Sequence, residues 1–178
     1  MPEGVKTVSG SYEAESYVTR FGSLDSYDKG GVELINDDPR HYAFSNIFEV
    51  ASRSKPYEKV AVGKNMEYVL EAIRAEGSSQ WRTAAHDEFA LVMDGEVVVE
   101  LVKLDESPLP ADASGSIAID GDPVGRRMGR ITLRHGHQAL LPAGAAYRFT
   151  ADKPSVILQQ TIAGPDTLYR WAEICQTV

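Results

Sequence analysis

Short apolar runs separated by turn residues make up most of the chain after residue 57. Glycine and proline recur between these runs at short intervals, which is typical of strands joined by turns. Asp94-Gly95 lies between two apolar runs and predicts a two-residue hairpin. Residues 105–130 contain Pro, Gly, Ser and Asp at short intervals and predict a long loop. The pattern as a whole predicts an all-β sandwich or barrel. The predicted strands are 59–62, 66–74, 88–92, 96–102, 130–134, 139–141, 147–150 and 156–161.

The two ends of the chain follow other patterns. Residues 1–55 are polar and irregular, yet they hold several aromatic side chains, which disordered tails largely lack. We expect this extended arm to pack on the barrel or on a partner chain. The barrel is expected to occupy 56–178 together with a short C-terminal helix. Asp166 is a suitable N-cap for that helix. The spacing i, i+3, i+4, i+7 gives the helix one apolar stripe, made of Leu168, Trp171, Ala172 and Cys175.

Composition and charge narrow the possible functions. The chain has 178 residues, 43% of them hydrophobic, which is enough for one packed domain. Its net charge of −8 argues against nucleic acid as a partner. Its single cysteine, Cys175, can form neither an internal disulfide nor a cysteine-rich zinc site. With no signal-peptide pattern and no stretch of ~20 apolar residues, we expect a cytoplasmic protein without a membrane segment.

Two segments resemble the paired motifs of the cupin superfamily. Glu88 is followed at the motif's spacing by Gly95, and Gly-His-Gln-Ala-Leu-Leu-Pro-Ala-Gly at 136–144 matches the second motif up to its second glycine. Together the motifs and their flanks span about residues 57–162. In cupins, three histidines and the glutamate hold one metal inside the barrel. The resemblance implies an all-β, double-stranded β-helix, or jelly-roll barrel.

Three of the four metal ligands of the motif are replaced in this chain. The two histidines before Glu88 become Arg82 and Ala84, and the histidine of the second motif becomes Tyr147. Alanine has no donor atom, and arginine is a fixed cation that repels a metal. We therefore predict no metal in this barrel. We expect Arg82 to pair with Glu88 inside it, and Tyr147 to donate a hydrogen bond to that carboxylate.

Other histidines leave an alternative metal site open. His86 shares strand parity with Glu88, and His135 and His137 share parity with each other. A site built from His86, Glu88 and one of the other two is conceivable, although no spacing supports it. His41 lies in the arm and has no motif around it.

Trp81 comes just before the replaced ligand positions. If the fold is a cupin barrel, Trp81 lies near one mouth of the barrel. Packing in the core or at the rim is the ordinary role for such a side chain. The alternative role for Trp81 is that of an anchor across a subunit interface, where tryptophan is enriched.

A closer resemblance rests on three segments. Lys-Pro-Tyr-Glu-Lys-Val-Ala-Val-Gly at 55–63, Ala-His-Asp-Glu-Phe-Ala-Leu-Val-Met-Asp-Gly at 85–95 and Tyr-Arg-Trp-Ala-Glu-Ile-Cys at 169–175 resemble the small (alpha) subunit of bacterial two-subunit hydroquinone 1,2-dioxygenases. The resemblance implies an iron(II)-dependent ring-cleaving enzyme that converts hydroquinone and O2 to 4-hydroxymuconic semialdehyde. It implies an α2β2 heterotetramer whose large subunit holds the iron.

The resemblance also implies a division of labour between the two chains. This chain would be noncatalytic and would stabilise the large subunit, with the arm 1–55 wrapped around it. Trp81 would line the substrate entrance of the partner. Three other functions stay open: a stand-alone metal-free cupin that binds a small organic ligand, a metalloenzyme with an unusual ligand set, and a storage cupin.

Overall fold

The structure is a computed structural model that describes residues 22–28, 35–36, 46–110 and 112–170. Most of the arm 1–55 lies outside the described residues, and so does His41. The helix stripe positions Trp171, Ala172 and Cys175 also lie outside them. Partner contact by the arm therefore stays a prediction.

The described residues form one short helix and ten strands. In chain order these are α1 (Ile47–Ser52), β1 (Lys59–Asn65), β2 (Tyr68–Ser78), β3 (Trp81–Ala84), β4 (Glu88–Asp94), β5 (Glu96–Leu104), β6 (Ser116–Ile119), β7 (Gly125–Arg134), β8 (Gln138–Leu141), β9 (Ala145–Ile162) and β10 (Thr167–Leu168). No helix among the described residues is both long and apolar enough to cross a bilayer.

The long strand β9 joins the two halves of the sheet. Its C-terminal half pairs with β2 and β4, and its N-terminal half pairs with β3 and β5. The strands β1 and β10 extend the sheet beyond β2, β8 pairs with β4, β6 with β3, and β7 with β5. Inward-facing side chains such as Ile73, Val97, Phe149 and Ile157 form the main core. The predicted all-β, cupin-type jelly-roll barrel is confirmed.

The predicted hairpin at Asp94-Gly95 is wrong. The strands β4 and β5 do not pair with each other, because each pairs with a different half of β9. Gly95 is the corner between them and has a φ of 78°. A Cβ at this position would lie 2.1 Å from Oγ of Ser155, so both the backbone conformation and the close approach require glycine.

Long-range pairing also corrects one predicted loop and one predicted break between strands. Within 105–130, residues 116–119 form β6 and β7 begins at Gly125, because these segments pair with β3 and β5. Predicted strands 147–150 and 156–161 are a single strand, β9. The turn-like residues between them are taken up by a register shift against β2, between Ala75 and Gly77.

The predicted start of the C-terminal helix at Asp166 is wrong. Thr167 and Leu168 form β10, which runs parallel to β1. The backbone N–H of Thr167 donates to the carbonyl of Gly164, and its hydroxyl donates to Oε1 of Glu71 at 2.7 Å. These bonds hold the segment extended, so the local capping signal is overridden by tertiary pairing.

The helix α1 covers one outer face of the sheet. Asn46 caps it by accepting a hydrogen bond from the backbone N–H of Phe48 at 2.9 Å. Phe48 and Ala51 pack against Val156 of β9. Beside them, the backbone N–H of Leu24 donates to the Asp94 carboxylate at 2.8 Å. The segments 22–28 and 46–52 of the arm therefore contact this chain's own barrel.

Candidate functional site

The centre of the barrel holds a carboxylate among neutral polar groups. Glu88 on β4 is fully buried, and Tyr147 and Gln159 reach it from β9. The side-chain amide of Gln159 donates to Oε1 of Glu88 at 2.8 Å and to the Tyr147 hydroxyl at 3.1 Å. Gln159 was missed from the sequence. Its signal is an amide at a buried position of a strand that is otherwise mostly apolar.

Tyr147 stays protonated in this setting. Burial is the main reason that its pKa lies well above the usual range, and the negative charge of Glu88 raises it further. A phenol that keeps its proton is a neutral hydrogen-bonding group rather than a phenolate ligand. Tyr147 and Glu88 do lie together inside the barrel, but Gln159 donates to both of them, and the predicted direct hydrogen bond from the Tyr147 hydroxyl to the carboxylate is not formed.

The predicted ion pair between Arg82 and Glu88 does not form. Arg82 donates to the hydroxyl of Ser116 at 3.1 Å, to the carbonyl of Ser116 at 2.7 Å and to the Asp166 carboxylate at 2.5 Å. Asp166 is half-exposed, so this pairing leaves the guanidinium close to solvent. Pairing with Glu88 would require both charges to lose their water in the core, which is costly.

A second buried polar cluster was not predicted. Nζ of Lys59 lies 3.0 Å from Oε2 of Glu71 and donates to the Ser116 hydroxyl at 2.6 Å. Both charged side chains are buried. The available signal was Glu71, a lone acid inside the apolar run of β2 at the same parity as Val69 and Ile73. This cluster fixes β1, β2 and β6 at one end of the barrel.

The residues at the motif's ligand positions do not fit an iron site. Ala84 is buried and has no donor atom, Arg82 is engaged with Ser116 and Asp166, and Tyr147 is held as a neutral phenol. Among the described residues, no three His, Cys, Asp or Glu side chains gather around one point. Glu88 alone offers too few ligands for a divalent transition metal.

The alternative site from other histidines is also not formed within the described part of the chain. Nε2 of His86 accepts a hydrogen bond from the backbone N–H of Ile162 at 3.1 Å, which occupies that nitrogen. His137 lies in the turn before β8, where its Nδ1 accepts from the backbone N–H of Arg134 at 3.1 Å. Glu88 lies opposite Leu141, at the other end of β8.

Trp81 borders a groove on the outer face of the barrel. Its indole N–H donates to the Asp122 carboxylate at 3.2 Å, and the Arg148 guanidinium carbon lies 4.6 Å above its ring centre. The side chain is 9% exposed. The groove has a volume of about 630 Å³, and Arg127 and Arg130 also line it. Trp81 is therefore a rigid wall of this groove and packs against Val102 and Ala146 behind it.

A second pocket, of about 380 Å³, opens at one end of the barrel. Tyr57 borders it with an unusual φ of 62°, and its hydroxyl donates to the carbonyl of Gly77 at 2.6 Å. Burial raises the pKa of Tyr57 to about 12. Phe149 and Gln159 line the inner part of the pocket. The pocket can hold a small organic molecule, and its lining offers both apolar and polar contacts.

Two solved structures match nearly the whole chain. The first is hydroquinone 1,2-dioxygenase PnpCD in complex with Cd2+ and 4-hydroxybenzonitrile, with 59% identity and a TM-score of 0.86 over 91% of this chain and 98% of that chain. The second is hydroquinone 1,2-dioxygenase from Sphingomonas sp. TTNP3 with 4-hydroxybenzoate bound, with 58% identity and a TM-score of 0.87 over 90% and 98%. No protein-family profile and no curated protein matches the chain.

A more distant match is to a longer chain. It is in the structure of hydroquinone 1,2-dioxygenase PnpCD in complex with Fe3+, with 17% identity and a TM-score of 0.58. The matched stretch is 79% of this chain but 38% of the other, so the other chain is about twice as long. At this identity the likeness shows a shared fold alone. The assignment rests instead on the two matches near 60% identity: this chain belongs to the hydroquinone 1,2-dioxygenase family.

Proposed function

We propose that this chain is the noncatalytic small subunit of an iron(II)-dependent hydroquinone 1,2-dioxygenase. The proposal rests on a contrast between the family match of the chain and the residues at its motif's ligand positions. The chain matches hydroquinone 1,2-dioxygenase at 58–59% identity, yet its own motif positions Arg82, Ala84 and Tyr147 supply no iron ligand. In this proposal the iron is held by the longer chain.

The reaction of the assembled enzyme is the cleavage of hydroquinone by O2 to 4-hydroxymuconic semialdehyde. The two structures that match this chain at 58–59% identity hold para-substituted phenols, namely 4-hydroxybenzonitrile and 4-hydroxybenzoate, and the first also holds Cd2+. Those ligands support a pocket for a para-substituted phenol in the complex. We place two copies of each subunit in the complex, and the complex in the cytoplasm.

The residues of this chain contribute structure rather than chemistry. The Glu88–Gln159–Tyr147 group lies where a cupin would hold its metal, and the Lys59–Glu71 pair joins strands at one end of the barrel. The arm 1–55 wraps the partner outside its segments 22–28 and 46–52, which pack on the barrel. Trp81, fixed by Asp122 and Arg148, lines the partner's substrate entrance as a rigid wall.

Replacing Trp81 tests its role at the entrance. In the assembled enzyme, Trp81→Ala is expected to raise KM for hydroquinone several-fold with little change in kcat, because the iron chemistry is in the other chain. Trp81→Phe, which keeps an aromatic wall, is the control and is expected to stay within about twofold of wild type. Steady-state oxygen uptake measures both values. Unchanged kinetics in a fully assembled Trp81→Ala enzyme would remove Trp81 from the entrance.

Assembly tests the subunit role itself. Adding this chain to the separately prepared longer chain is expected to raise turnover until the two are equimolar, and light scattering should then give the mass of an α2β2 complex. Turnover by the longer chain that is complete without this chain would contradict a stabilising subunit.

A second candidate is a stand-alone metal-free cupin that binds a small organic ligand. The pocket beside Tyr57 is the observation that favours it. Under this alternative, the purified chain alone binds hydroquinone or 4-hydroxybenzoate in a calorimetric titration. The subunit proposal expects no such binding without the partner.

A further inference from the structure

The strand β7 is an exposed edge. It pairs with β5 on one side, and no strand among the described residues pairs with its other side. Of its ten residues, Leu133 alone is buried. Such an edge presents backbone N–H and C=O groups that can accept another extended chain.

The same strand concentrates positive charge on an acidic protein. Four arginines lie within its ten residues, whereas the whole chain has 18 Lys and Arg and a net charge of −8. Arg134 is paired with Glu96 at 2.7 Å. Glu100 lies opposite Arg130 in the register, but it is bound instead by Arg148 at 3.0 Å. The remaining arginines, Arg126, Arg127 and Arg130, form no ion pair within the described part of the chain.

Apolar side chains are interleaved with these arginines. Val124, Met128 and Ile131 are 76%, 48% and 39% exposed. The groove bordered by Trp81 runs alongside and shares Arg127 and Arg130 with the strand. Exposed apolar groups among unpaired cations are the composition of a protein-binding surface, since apolar contact supplies affinity and charge supplies selectivity.

We propose that β7 is the docking edge for an extended acidic segment of the longer chain, which pairs with the strand and places its carboxylates on Arg126, Arg127 and Arg130. This inference rests on the proposed function, because it names the surface through which the small subunit binds its partner. It also places the contact next to Trp81, where the entrance role requires the partner to lie.

A second copy of this chain fits the edge poorly. Pairing β7 with β7 of another copy would set a row of arginines against the same row, and like charges directly opposite are destabilising. A nucleic acid also fits poorly, because Glu96 and Glu100 lie on the neighbouring strand β5, next to the arginines, and the net charge of −8 repels phosphates. An acidic protein segment avoids the first obstacle, and it meets the second less strongly, because it carries a few carboxylates rather than a phosphate at every nucleotide.

Charge reversal tests the edge. The variant Arg126→Glu/Arg127→Glu/Arg130→Glu is compared with Lys55→Glu/Lys64→Glu/Lys153→Glu, which makes the same change of charge at exposed positions away from β7. We expect the β7 variant to bind the longer chain about 100-fold more weakly than wild type, and the control to stay within about threefold. Circular dichroism checks that both variants fold.

A second measurement needs no variant. Hydrogen exchange on wild type, with and without the longer chain, is expected to show slower exchange of β7 amides in the complex. If wild type binds but β7 exchange is unchanged, or if the β7 variant binds like the control, the docking edge is wrong while the subunit role survives. If wild type does not bind the longer chain, both fail. Tighter binding of a single-stranded RNA than of the longer chain would also overturn the assignment.

Discussion

The carboxylate of Glu88 accepts a hydrogen bond from an amide and lies beside a phenol. Gln159 donates to one of its oxygens, and its charge raises the pKa of the nearby Tyr147 hydroxyl. Arg82, the expected counterion, pairs with Asp166 near solvent. At the scale of single residues, we interpret Glu88 as a structural group at a position where the cupin motif has a ligand.

Substituting Glu88 separates a structural role from a metal-binding one. Glu88→Gln keeps an oxygen for the Gln159 amide, so we expect the free energy of unfolding to change by less than about 1 kcal/mol. Glu88→Ala removes that acceptor and opens a cavity, so a loss of roughly 2–4 kcal/mol is expected. Urea denaturation measures both. Iron in the assembled enzyme should be unchanged in either variant, and loss of iron in Glu88→Gln would contradict the structural role.

Tyr57 gives the fold a dependence on alkaline pH. Its pKa is raised by burial from 10.0 to about 12, so its stabilising contribution is complete below pH 10. As the pH rises further, the unfolded tyrosine loses its proton first, and the contribution disappears by about pH 12. Wild type should therefore melt at a higher temperature than Tyr57→Phe at pH 8, and this difference should vanish towards pH 12.

Thermal melts between pH 8 and pH 12 check this dependence. Tyr68→Phe is the matched control, because Tyr68 is half-exposed on β2, and its melting curve should follow wild type throughout. A difference between wild type and Tyr57→Phe that stays constant up to pH 12 would rule out the raised pKa.

At the scale of elements, the corner at Gly95 decides how the chain passes from one half of β9 to the other. Gly95→Ala would bring a Cβ to 2.1 Å from Oγ of Ser155 at a φ of 78°, so we expect a loss of about 3 kcal/mol or more. Gly121 is the control, because its φ is 73° but nothing lies within 4 Å of a Cβ there. Gly121→Ala should cost about 1–2 kcal/mol through backbone strain alone.

Equilibrium denaturation compares the two glycine variants. Adding Ser155→Gly to Gly95→Ala should recover part of the loss, since it removes the side chain that the new methyl group meets. Equal losses at Gly95 and Gly121 would mean that the close approach does not matter.

Local sequence patterns predict which segments are strands better than they predict which strands pair with each other. The run 66–74 is predicted as strand because it lies among other short β runs; β2 confirms this from Tyr68 onward, whereas Met66 and Glu67 form the turn before it. Asp94-Gly95 has the same local chemistry in a hairpin and in a corner, and pairing with the distant β9 decides between them. The helix signal at Asp166 failed for the same reason, because β10 pairs with β1.

In the centre of the barrel, the sequence predicts only those residues that lie at fixed positions of the cupin motif. Motif spacing identified Glu88 and Tyr147, which lie together in the core. It gave no hint of Gln159 between them or of the Lys59–Glu71 pair, because each contact joins strands far apart in the chain. The orientation of the Arg82 side chain was not predictable either, because it depends on an ion pair with Asp166, which lies far along the sequence.

At the scale of the whole molecule, the charge distribution and the family assignment support the proposed subunit role. A chain with a net charge of −8 keeps three unpaired arginines on one exposed edge strand, within the part that the structure describes. Among the described residues, no three His, Cys, Asp or Glu side chains gather where they could hold a metal, yet the chain belongs to a family of dioxygenases. Both features make sense if the chain works bound to a partner that holds the metal.

Iron content and oxygen uptake, measured together, test this division of labour most directly. The chain is purified alone and as a pair with the longer chain, and each sample is assayed for iron and for hydroquinone-dependent oxygen uptake. We predict that the chain alone carries no stoichiometric iron and consumes no oxygen, whereas the pair does both. Stoichiometric iron and ring cleavage by this chain alone would contradict the noncatalytic role, and its ligands would then have to include His86, Glu88, His135 or His137.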